Sequence, residues 1–445
     1  MPVHRRSFLH GAGALAAAGS FGRVIGSASP VRARPRSAFA GYGELQPDPN
    51  GILELPRGFQ YRLISQTGDA LSGGGTVPSN HDGTAAFGAG FAGVWLVRNH
   101  EVEPDDVAED GAVPVGHMTG ATYDADGTGG TTTLLVGRDR NLVRHQVSLA
   151  GTVNNCAGGP TPWQTWLSCE ETNLILSKPH GYVFEVDPWT RGNPEPIVAL
   201  GRFAHEAVSF DRRGIAYLTE DASEPLGGIY RFVPAQRLGG RGSLHAGGVL
   251  SALALESVTG DLSIVQEPGT VLRARWIDVP NPNPGADETP VREQVQALGA
   301  TPIKKAEGTW LGNDGSIWFV SSYADGPDAE DPEDVTVAAH SGQIWRYDPR
   351  AESFELVTIF PVGSPFDGPD NITAGPHGFA VACTDGEVDN WLVGINDEGG
   401  VFPFALNVLN DVEFTGATFS PSGRTLFANI QEPGMTFAIW GPWRG

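Results

Sequence analysis

The chain has 445 residues, which is long enough for one large domain or for two or three small ones. Its formal charge of −23 excludes nucleic acid and anionic membrane surfaces as partners, because an acidic surface repels polyanions. Sixty glycines and 34 prolines favour many short strands joined by tight turns, and a 40% hydrophobic share excludes a disordered chain.

The N-terminus resembles a twin-arginine export signal rather than a disordered basic tail. Arg5 and Arg6 precede an apolar run rich in alanine and glycine that is too short to be a membrane anchor, and no later segment is apolar enough to span a bilayer. Small residues fit cleavage after Ala28 or after Ala40. We therefore expect residues 1–40 to be signal peptide and linker, the export machinery to be a partner, and the mature protein to be periplasmic or extracellular.

Two strand patterns recur after the leader. The first is a glycine turn, an alternating aromatic and aliphatic strand and a turn with proline, and it occurs at 180–188, 227–234 and 342–349. The second is a turn that ends in glycine before a short strand, and it occurs at 211–221, 313–322 and 420–430. Period-two alternation bounded by such turns is typical of half-buried antiparallel strands. Short helices are expected only within 243–257 and 289–301.

This repetition predicts an all-β fold. Repeated antiparallel units over about 400 residues are typical of a β-propeller, here with insertions between blades and a few short helices. A large β-sandwich is the competing fold, and it explains the strands but not the repeat. Glycine and proline are spread throughout, so we expect residues 41–445 to form a single propeller domain.

Apolar strands run into acids at seven places. They are Glu101, the pair Glu170 and Glu171, Glu206, the pair Glu220 and Asp221, Glu307, the pair Asp367 and Asp370, and Asp385. In a propeller the innermost strands line a central channel, where acids from several blades would repel one another. Bound Ca²⁺, Mg²⁺, Mn²⁺ or Fe³⁺ would compensate, because these cations prefer oxygen ligands. The pattern predicts a collective metal site, although any single acid also fits a turn or the surface.

Neighbouring residues limit the ligand set further. His100 and His205 each precede a glutamate, so strand alternation turns them away from the channel if the glutamates face it. HExxH, paired CxxC and GxSxG motifs are absent from the sequence, which leaves zinc-protease and nucleophile-elbow chemistry without support.

The three cysteines form one disulfide at most if the chain is exported, and they leave at least one thiol as a candidate ligand. Cys156 is the cysteine of interest, because it lies in the unusual stretch NNCAGGPTPWQTWLSCEET with an acid pair close behind it. The alternative for Cys156 is a disulfide with Cys169 or Cys383.

Motifs from about residue 45 to the C-terminus resemble the PhoX family of bacterial alkaline phosphatases, which use the twin-arginine route. The matching stretches occur in the order RNHE, GGTTTL, NNCAGGPTPWQTWLSCEE, GRFAHEAVSFDRRGIAYLTED, GGIYRFVP, KAEGTW, GQIWRYDP, DGPDN and SPSGRTLFANIQEPG. The resemblance implies a six-bladed propeller that hydrolyses phosphate monoesters. It also implies a central cofactor of two ferric ions bridged by an oxide, with up to three calcium ions.

The resemblance also implies roles for single residues. Cys156 would be an iron ligand. The further implied metal ligands are Glu171, Glu206, Asp221, Glu307 and Asp370, with Glu101 and Glu170 as calcium ligands or as groups behind the ligands. Lys305 would contact phosphate at a position where the family carries arginine, and lysine lacks the bidentate fork that suits phosphate.

The resulting hypothesis is an exported metal-dependent phosphatase that acts on a small phosphate ester. Two rivals stay open. A calcium-dependent propeller hydrolase for lactones or phosphotriesters would share the acid-lined channel but would not need Cys156. A non-enzymatic propeller would bind a ligand or partner and use calcium only for stability.

Overall fold

The computed structural model describes residue 39 and residues 41–190, 192–330 and 335–444. The predicted export signal and both cleavage positions lie outside these residues. The described chain is all-β with few helices, and its sheets are arranged like the blades of a propeller. Its helical pieces are α1 (Val291–Gln296), a π-helical turn at Asp106–Asp110 and 3-10 turns at Gly90–Ala92, Val198–Leu200, Ser243–Ala246 and Leu262–Ile264.

The strands are short and antiparallel. Those of the first half are β1 (Leu45–Gln46), β2 (Leu53–Pro56), β3 (Gln60–Gln66), β4 (His81–Gly88), β5 (Val94–His100), β6 (Gly129–Val136), β7 (Leu142–Thr152), β8 (Asn155–Pro160), β9 (Trp166–Glu170), β10 (Val183–Val186), β11 (His205–Phe210), β12 (Ala216–Ser223), β13 (Leu226–Pro234), β14 (Gly248–Leu255) and β15 (Val271–Asp278).

The second half continues with the same short elements. They are β16 (Ala306–Leu311), β17 (Ile317–Ser321), β18 (Ala324–Asp325), β19 (Ala339–His340), β20 (Gly342–Asp348), β21 (Ser353–Phe360), β22 (Pro369–Ala374), β23 (Phe379–Thr384), β24 (Trp391–Asn396), β25 (Val401–Asn407), β26 (Phe414–Phe419), β27 (Leu426–Ile430) and β28 (Met435–Trp440).

Most sheets follow chain order. Strands β4–β7 form one sheet, β8–β10 form a second, and β22–β25 form a third that carries β2 and β1 on its outer edge. Strands β11–β14 and the set β16, β17, β20 and β21 are joined through β15 into one nine-stranded sheet, and β18 pairs with β19. The last strands, β26–β28, are completed by β3, so one sheet joins an early strand of the domain to its last three strands.

The hydrophobic cores lie between neighbouring sheets, and β27 illustrates why. Leu426, Ala428 and Ile430 pack into one core, whereas Phe427 packs into another on the opposite face. Side chains alternate across a strand, so a sheet held between two others is buried on both faces. This explains why β27 reads as an almost continuous apolar run.

All six stretches with the two predicted patterns contain strands: β10, β13 and β20 for the first, and β12, β17 and β27 for the second. The helix predicted within 289–301 is confirmed as α1. The helix prediction for 243–257 is wrong beyond the turn Ser243–Ala246, because that stretch supplies β14 between β13 and β15. Pairing on both edges overrides the helix propensity of its leucines and alanines.

Candidate metal centre

Six strands begin with the same irregularity. In β4, β8, β11, β16 and β22, pairing with the following strand starts at one residue and then shifts register, and in β26 the shift follows two paired residues. Such β-bulges re-aim the side chains of the bulged residues. The second residue of the first five of these strands is in turn Asp82, Cys156, Glu206, Glu307 and Asp370. We call these residues the bulge group.

The strand that pairs with each of these six ends beside the bulge. The residue after its last paired position is in turn Glu101, Glu171, Asp221, Ser322, Asp385 and Gln431. We call these residues the strand-end group. Both groups occupy equivalent places in successive sheets, and eight of their eleven residues line one common space.

That space is a cavity of about 180 Å³. Its lining residues are Glu101, Cys156, Glu171, Asp221, Lys305, Glu307, Ser322, Asp370, Asp385 and Glu413. The strands β4 and β8, which each come first in their sheet, approach one another closely. A Cβ atom added to Gly83 of β4 would lie only 2.6 Å from the Cα atom of Ala157 in β8.

Three sets of side chains could hold a metal ion. In each set, one ligand atom per residue lies within 4.8 Å of the others, and the sets are Asp82, Glu101 and Cys156; Cys156, Glu171 and Glu206; and Glu206, Glu307 and Asp370. Shared residues link the three sets into one chain of ligands. The donors are carboxylates and one thiol, which suits hard cations and also iron.

Burial makes this collection of acids electrostatically expensive. Burial, followed by repulsion from Asp370, raises the pKa of Asp82 to about 7, and burial raises the pKa of Asp370 to about 6. The carboxyl groups whose pKa values burial raises well above the ordinary range are Glu101, Glu171, Glu206, Glu307 and Glu413. Burial and the charge of Asp82 likewise raise the pKa of the Cys156 thiol. A bound cation would reverse this preference, because it favours the ionised forms.

Lys305 places a cation among these acids. Its Nζ lies 2.9 Å from Asp221 Oδ2 and 2.8 Å from Glu307 Oε1. Burial lowers the pKa of this amine, but Glu307 and Asp221 outweigh burial, and the pKa is raised. Lys305 has a φ of 44°, a left-handed conformation that is uncommon outside glycine, immediately before β16. The chain thus aims this ammonium group into the cavity at some conformational cost.

Two amides also donate to the acids. Gln431 Nε2 lies 3.2 Å from Asp82 Oδ2 and 2.7 Å from Glu101 Oε2. Asn371 Nδ2 lies 2.9 Å from Asp370 Oδ1 and more distantly, at 3.4 Å, from Glu206 Oε1. These neutral donors separate neighbouring carboxylates without adding charge.

Glu170 does not join the cavity. Its Oε1 accepts from Val153 N and contacts His180 Nδ1 at 2.6 Å, and its Oε2 accepts from Gly181 N and Tyr182 N. Adjacent residues of a strand face opposite ways, so Glu171 lines the cavity while Glu170 is held by protein groups. These contacts give no geometric support to the predicted metal-ligand role of Glu170. They agree with the alternative role, in which Glu170 supports the ligands without binding the metal.

The histidines lie where alternation predicts. His100 contacts Ser79 O at 2.7 Å and Thr132 Oγ1 at 2.8 Å, and His205 contacts Gly201 O at 3.1 Å. Both are fully buried, and neither lines the cavity. All three cysteines are free and buried, so Cys156 is not paired with Cys169 or Cys383.

The other predicted residues do come together. The structure brings seven of the eight predicted metal ligands, all but Glu170, and Lys305 to the cavity or to the ligand sets around it. The strand-end pattern in the sequence includes Asp385 without giving it a role of its own, and it does not indicate Asp82 or Glu413. Asp82 follows His81 at the start of a strand, as Glu206 follows His205, and that parallel was available in the sequence. Glu413, just before β26, lacked such a signal.

Comparisons with known proteins agree with this geometry. A model of the PhoX alkaline phosphatase family matches residues 40–145 and 139–434. The chain belongs to the PhoX alkaline phosphatase family. It is therefore a hydrolase of the alkaline phosphatase class, and the family match confirms the resemblance seen in its motifs.

A solved structure at 18% identity shares the fold. The structure of Pseudomonas fluorescens PhoX in complex with vanadate, a transition state analogue, is 18% identical and has a TM-score of 0.65, with 88% of this chain and 96% of that chain covered. A Xanthomonas campestris gluconolactonase is 11% identical with a TM-score of 0.46, over 90% and 98% of the two chains. No curated protein sequence matches the chain.

In the part of the chain that the structure describes, no helix has the length and apolar character needed to cross a membrane.

We expect the chelator-treated protein to lose stability as the pH rises from about 4 to about 7. Carboxyl groups with raised pKa values bind protons more tightly when folded than when unfolded. Their contribution is therefore full below the unfolded pKa near 4 and is lost as the pH rises through the folded values, about 6 for Asp370 and about 7 for Asp82. Urea unfolding at pH 4.5 and pH 7.5 measures the difference.

Asp82→Asn should reduce that difference by on the order of 2 kcal/mol, because one of the raised carboxyl groups is gone. Asp287→Asn, at an exposed acid, is the matched control and should leave the difference unchanged. Equal pH profiles for the wild type and Asp82→Asn would show that the cavity acids do not carry this cost.

Proposed function

We propose that this enzyme is an exported phosphatase that hydrolyses small phosphate monoesters at a central iron–calcium centre. The observation that carries the proposal is the convergence of Cys156, Lys305 and seven acids on one cavity in a chain of the PhoX family. The thiol also distinguishes this hypothesis from a calcium-dependent lactonase or phosphotriesterase, which would not need it.

We further propose that the propeller of residues 41–445 has six blades. Support comes from six first strands, which contact one another in the cyclic order β4, β8, β11, β16, β22 and β26 and back to β4. Each of these strands carries the same register shift beside its partner. Pairing of β3 with β28 would then close the ring between the first and last parts of the domain.

The cavity fits a group of several cations. Three buried carboxylate oxygens have no hydrogen-bond partner among the described residues, namely Glu206 Oε2, Asp221 Oδ1 and Glu413 Oε2. Isolated buried carboxylates are unfavourable, whereas coordination of a cation satisfies them. We propose two oxide-bridged Fe³⁺ ions and up to three Ca²⁺ ions as the cofactor.

The ligand sets suggest how the residues divide. Cys156 is the soft donor and belongs to two of the three sets, so it would hold iron together with Glu171 and Glu206. Asp221, Glu307 and Asp370 would complete the centre, and Glu101 and Asp82 would hold a further cation together with Cys156, which both sets share. When bound, these cations would supply Lewis-acid stabilisation of the charge that builds on the phosphoryl oxygens.

The chain's own contribution to the reaction is positioning and charge. Lys305 Nζ would donate to phosphate oxygens, and its contacts with Asp221 and Glu307 keep it protonated and aimed at the cavity. The cavity volume of about 180 Å³ would take a phosphoryl group and leave most of the alcohol outside. Substrate would therefore be selected by its phosphate rather than by its alcohol.

The first prediction concerns Cys156. If its thiolate binds ferric iron, the purified protein should be coloured by a charge-transfer band and should contain two irons and up to three calciums per chain. Cys156→Ser should weaken or shift the band and lower phosphate release by at least about 100-fold, because a hard hydroxyl replaces a soft ligand. Absorbance, elemental analysis and a phosphate-release assay measure the three effects.

Cys169→Ser and Cys383→Ser are the matched controls, since both residues are buried free cysteines that do not line the cavity. They should keep the band and the iron content. A colourless, iron-free wild type that still releases phosphate would contradict the iron assignment. A coloured protein whose band survives Cys156→Ser would contradict the ligand assignment alone.

The second prediction concerns Lys305. Lys305→Met should lower kcat/KM for phosphate monoesters by about 10- to 100-fold, because charged hydrogen bonds to the phosphate are lost. Lys305→Arg should retain most activity, since guanidinium also binds phosphate. Lys178→Met, at an exposed lysine, should change kcat/KM by less than twofold. Full activity of Lys305→Met would show that Lys305 does not bind the substrate phosphate.

Export is the third prediction. The motif of Arg5 and Arg6 suggests the twin-arginine route to the periplasm or the medium. Changing both arginines to lysine should retain the protein in the cytoplasm, as judged by cell fractionation and immunoblotting. Undiminished export of the double variant would refute this route.

A further inference from the structure

Two buried asparagines, Asn99 and Asn429, occupy equivalent positions in neighbouring sheets. Asn99 lies two residues before Glu101, and Asn429 lies two residues before Gln431, which is the strand-end residue of the preceding sheet. Neither residue has any exposed surface. Neither of them lines the cavity or belongs to a candidate ligand set.

Asn99 reaches from β5 across to β8. Its Nδ2 donates to Cys156 O at 2.9 Å and to Ala157 O at 2.7 Å. These two residues lie in the bulge of β8, where the register shift occurs between Asn155 and Gly158. A buried carbonyl without a partner is costly, so the two hydrogen bonds fix the backbone that carries the Cys156 thiol.

The orientation of the Asn99 amide is determined by its other contacts. Its Oδ1 accepts from Trp166 Nε1 at 2.9 Å and from Ser168 Oγ at 2.9 Å. Indole nitrogen is only a donor, so the oxygen must face Trp166 and the NH₂ group must face the carbonyls. All four hydrogen-bonding positions of this amide are used, which leaves it one way to point.

Asn429 makes the corresponding contact one sheet earlier. Its Nδ2 donates to Asp82 O at 2.8 Å, across from β27 to β4. Its Oδ1 accepts from Thr436 Oγ1 at 2.7 Å, and Thr436 in turn accepts from the buried Arg98. Each asparagine therefore holds the main chain of the bulge-group residue in the next sheet.

This arrangement is restricted to one side of the cavity. The equivalent positions in the other four sheets hold Cys169, Thr219, Val320 and Cys383, which carry no amide. The two held residues, Asp82 and Cys156, belong with Glu101 to one candidate ligand set. Glu101 itself follows Asn99 by two residues on the same strand edge.

We propose that Asn99 and Asn429 are positioning residues that fix Cys156 and Asp82 at the separation needed to bind one cation together with Glu101. The inference rests on the proposed function, because it assumes that these three side chains bind a metal. We call the hydrogen bonds from Asn99 and Asn429 to the main chain of the bulges the clamps. Without the clamps, each bulge would relax, and the ligand atoms would lose their common centre. Groups that orient metal ligands typically change metal affinity by about 10- to 100-fold.

Cadmium provides a direct probe of this set. Cd²⁺ gives an ultraviolet charge-transfer band only when a thiolate binds it, so titration of the chelator-treated, full-length protein reports on Cys156 without any need for enzymatic activity. Cys156→Ser should abolish the band. Asn99→Asp, which keeps the acceptor for Trp166 but loses both donors, should weaken Cd²⁺ binding by about 10- to 100-fold.

Asn155→Asp is the matched control. The substitution has the same chemistry and also lies at a buried asparagine beside the bulge of β8. Asn155 Nδ2, however, donates to Ser168 Oγ and not to the carbonyl groups of the bulge. Its Cd²⁺ affinity should stay within about threefold of wild type or become tighter, because an added acid attracts the cation. Circular dichroism confirms that each variant is folded. If Asn99→Asp does not fold, Asn429→Asp applies the same test through Asp82 and should also weaken binding by at least tenfold.

The outcomes distinguish a failure of the clamp from a failure of the proposed metal centre. Wild-type Cd²⁺ affinity in folded Asn99→Asp and Asn429→Asp would overturn the clamp and leave the proposed metal centre intact. Equal weakening by Asn155→Asp and Asn99→Asp would also overturn the clamp, because loss of a buried amide beside Ser168 would then explain both. A wild-type protein with no thiolate band would overturn the thiolate site and the clamp together.

Discussion

The burial of many carboxylates around one small cavity is the constraint on which the rest of the site depends. Each of them would cost several kcal/mol if it stayed ionised and unpaired. Lys305 and the amides of Gln431 and Asn371 offset only part of that cost, since one ammonium group faces more than six acids. The remaining negative charge is the physical reason to expect cations in a protein that must also attract an anionic phosphate.

Strand geometry makes this concentration of acids possible. A register shift at the start of five first strands, β4, β8, β11, β16 and β22, turns the second residue of each toward the candidate ligand sets, and the end of the partner strand adds another residue beside it. Strict alternation then assigns neighbours to different tasks. Glu171 lines the cavity while Glu170 anchors the loop around His180, and Asp221 contacts Lys305 while Glu220 pairs with Arg292. Adjacent acids in the sequence are therefore not equivalent ligands.

The sequence allowed prediction of the strands and of most cavity residues, because both depend on local patterns. Turns rich in glycine bound each strand, and acids such as Glu101 and Asp385 stand where a strand ends. Asp82 and Glu413 stand before or at the start of a strand, where an acid also suits an ordinary turn. The clamps were beyond prediction, since Asn99 meets Cys156 only through packing of separate sheets. The segment 243–257 shows the same limit, because strand pairing there overrode local helix propensity.

Diffraction from crystals of the protein as isolated, recorded above and below the iron absorption edge, tests the central claim most directly. We expect anomalous peaks for iron within bonding distance of Cys156 Sγ and of the carboxylates of Glu171 and Glu206. Calcium should appear as further strong peaks among the remaining acids of the cavity. Active crystals with only water between these side chains would contradict the claim that cations compensate the buried carboxylates.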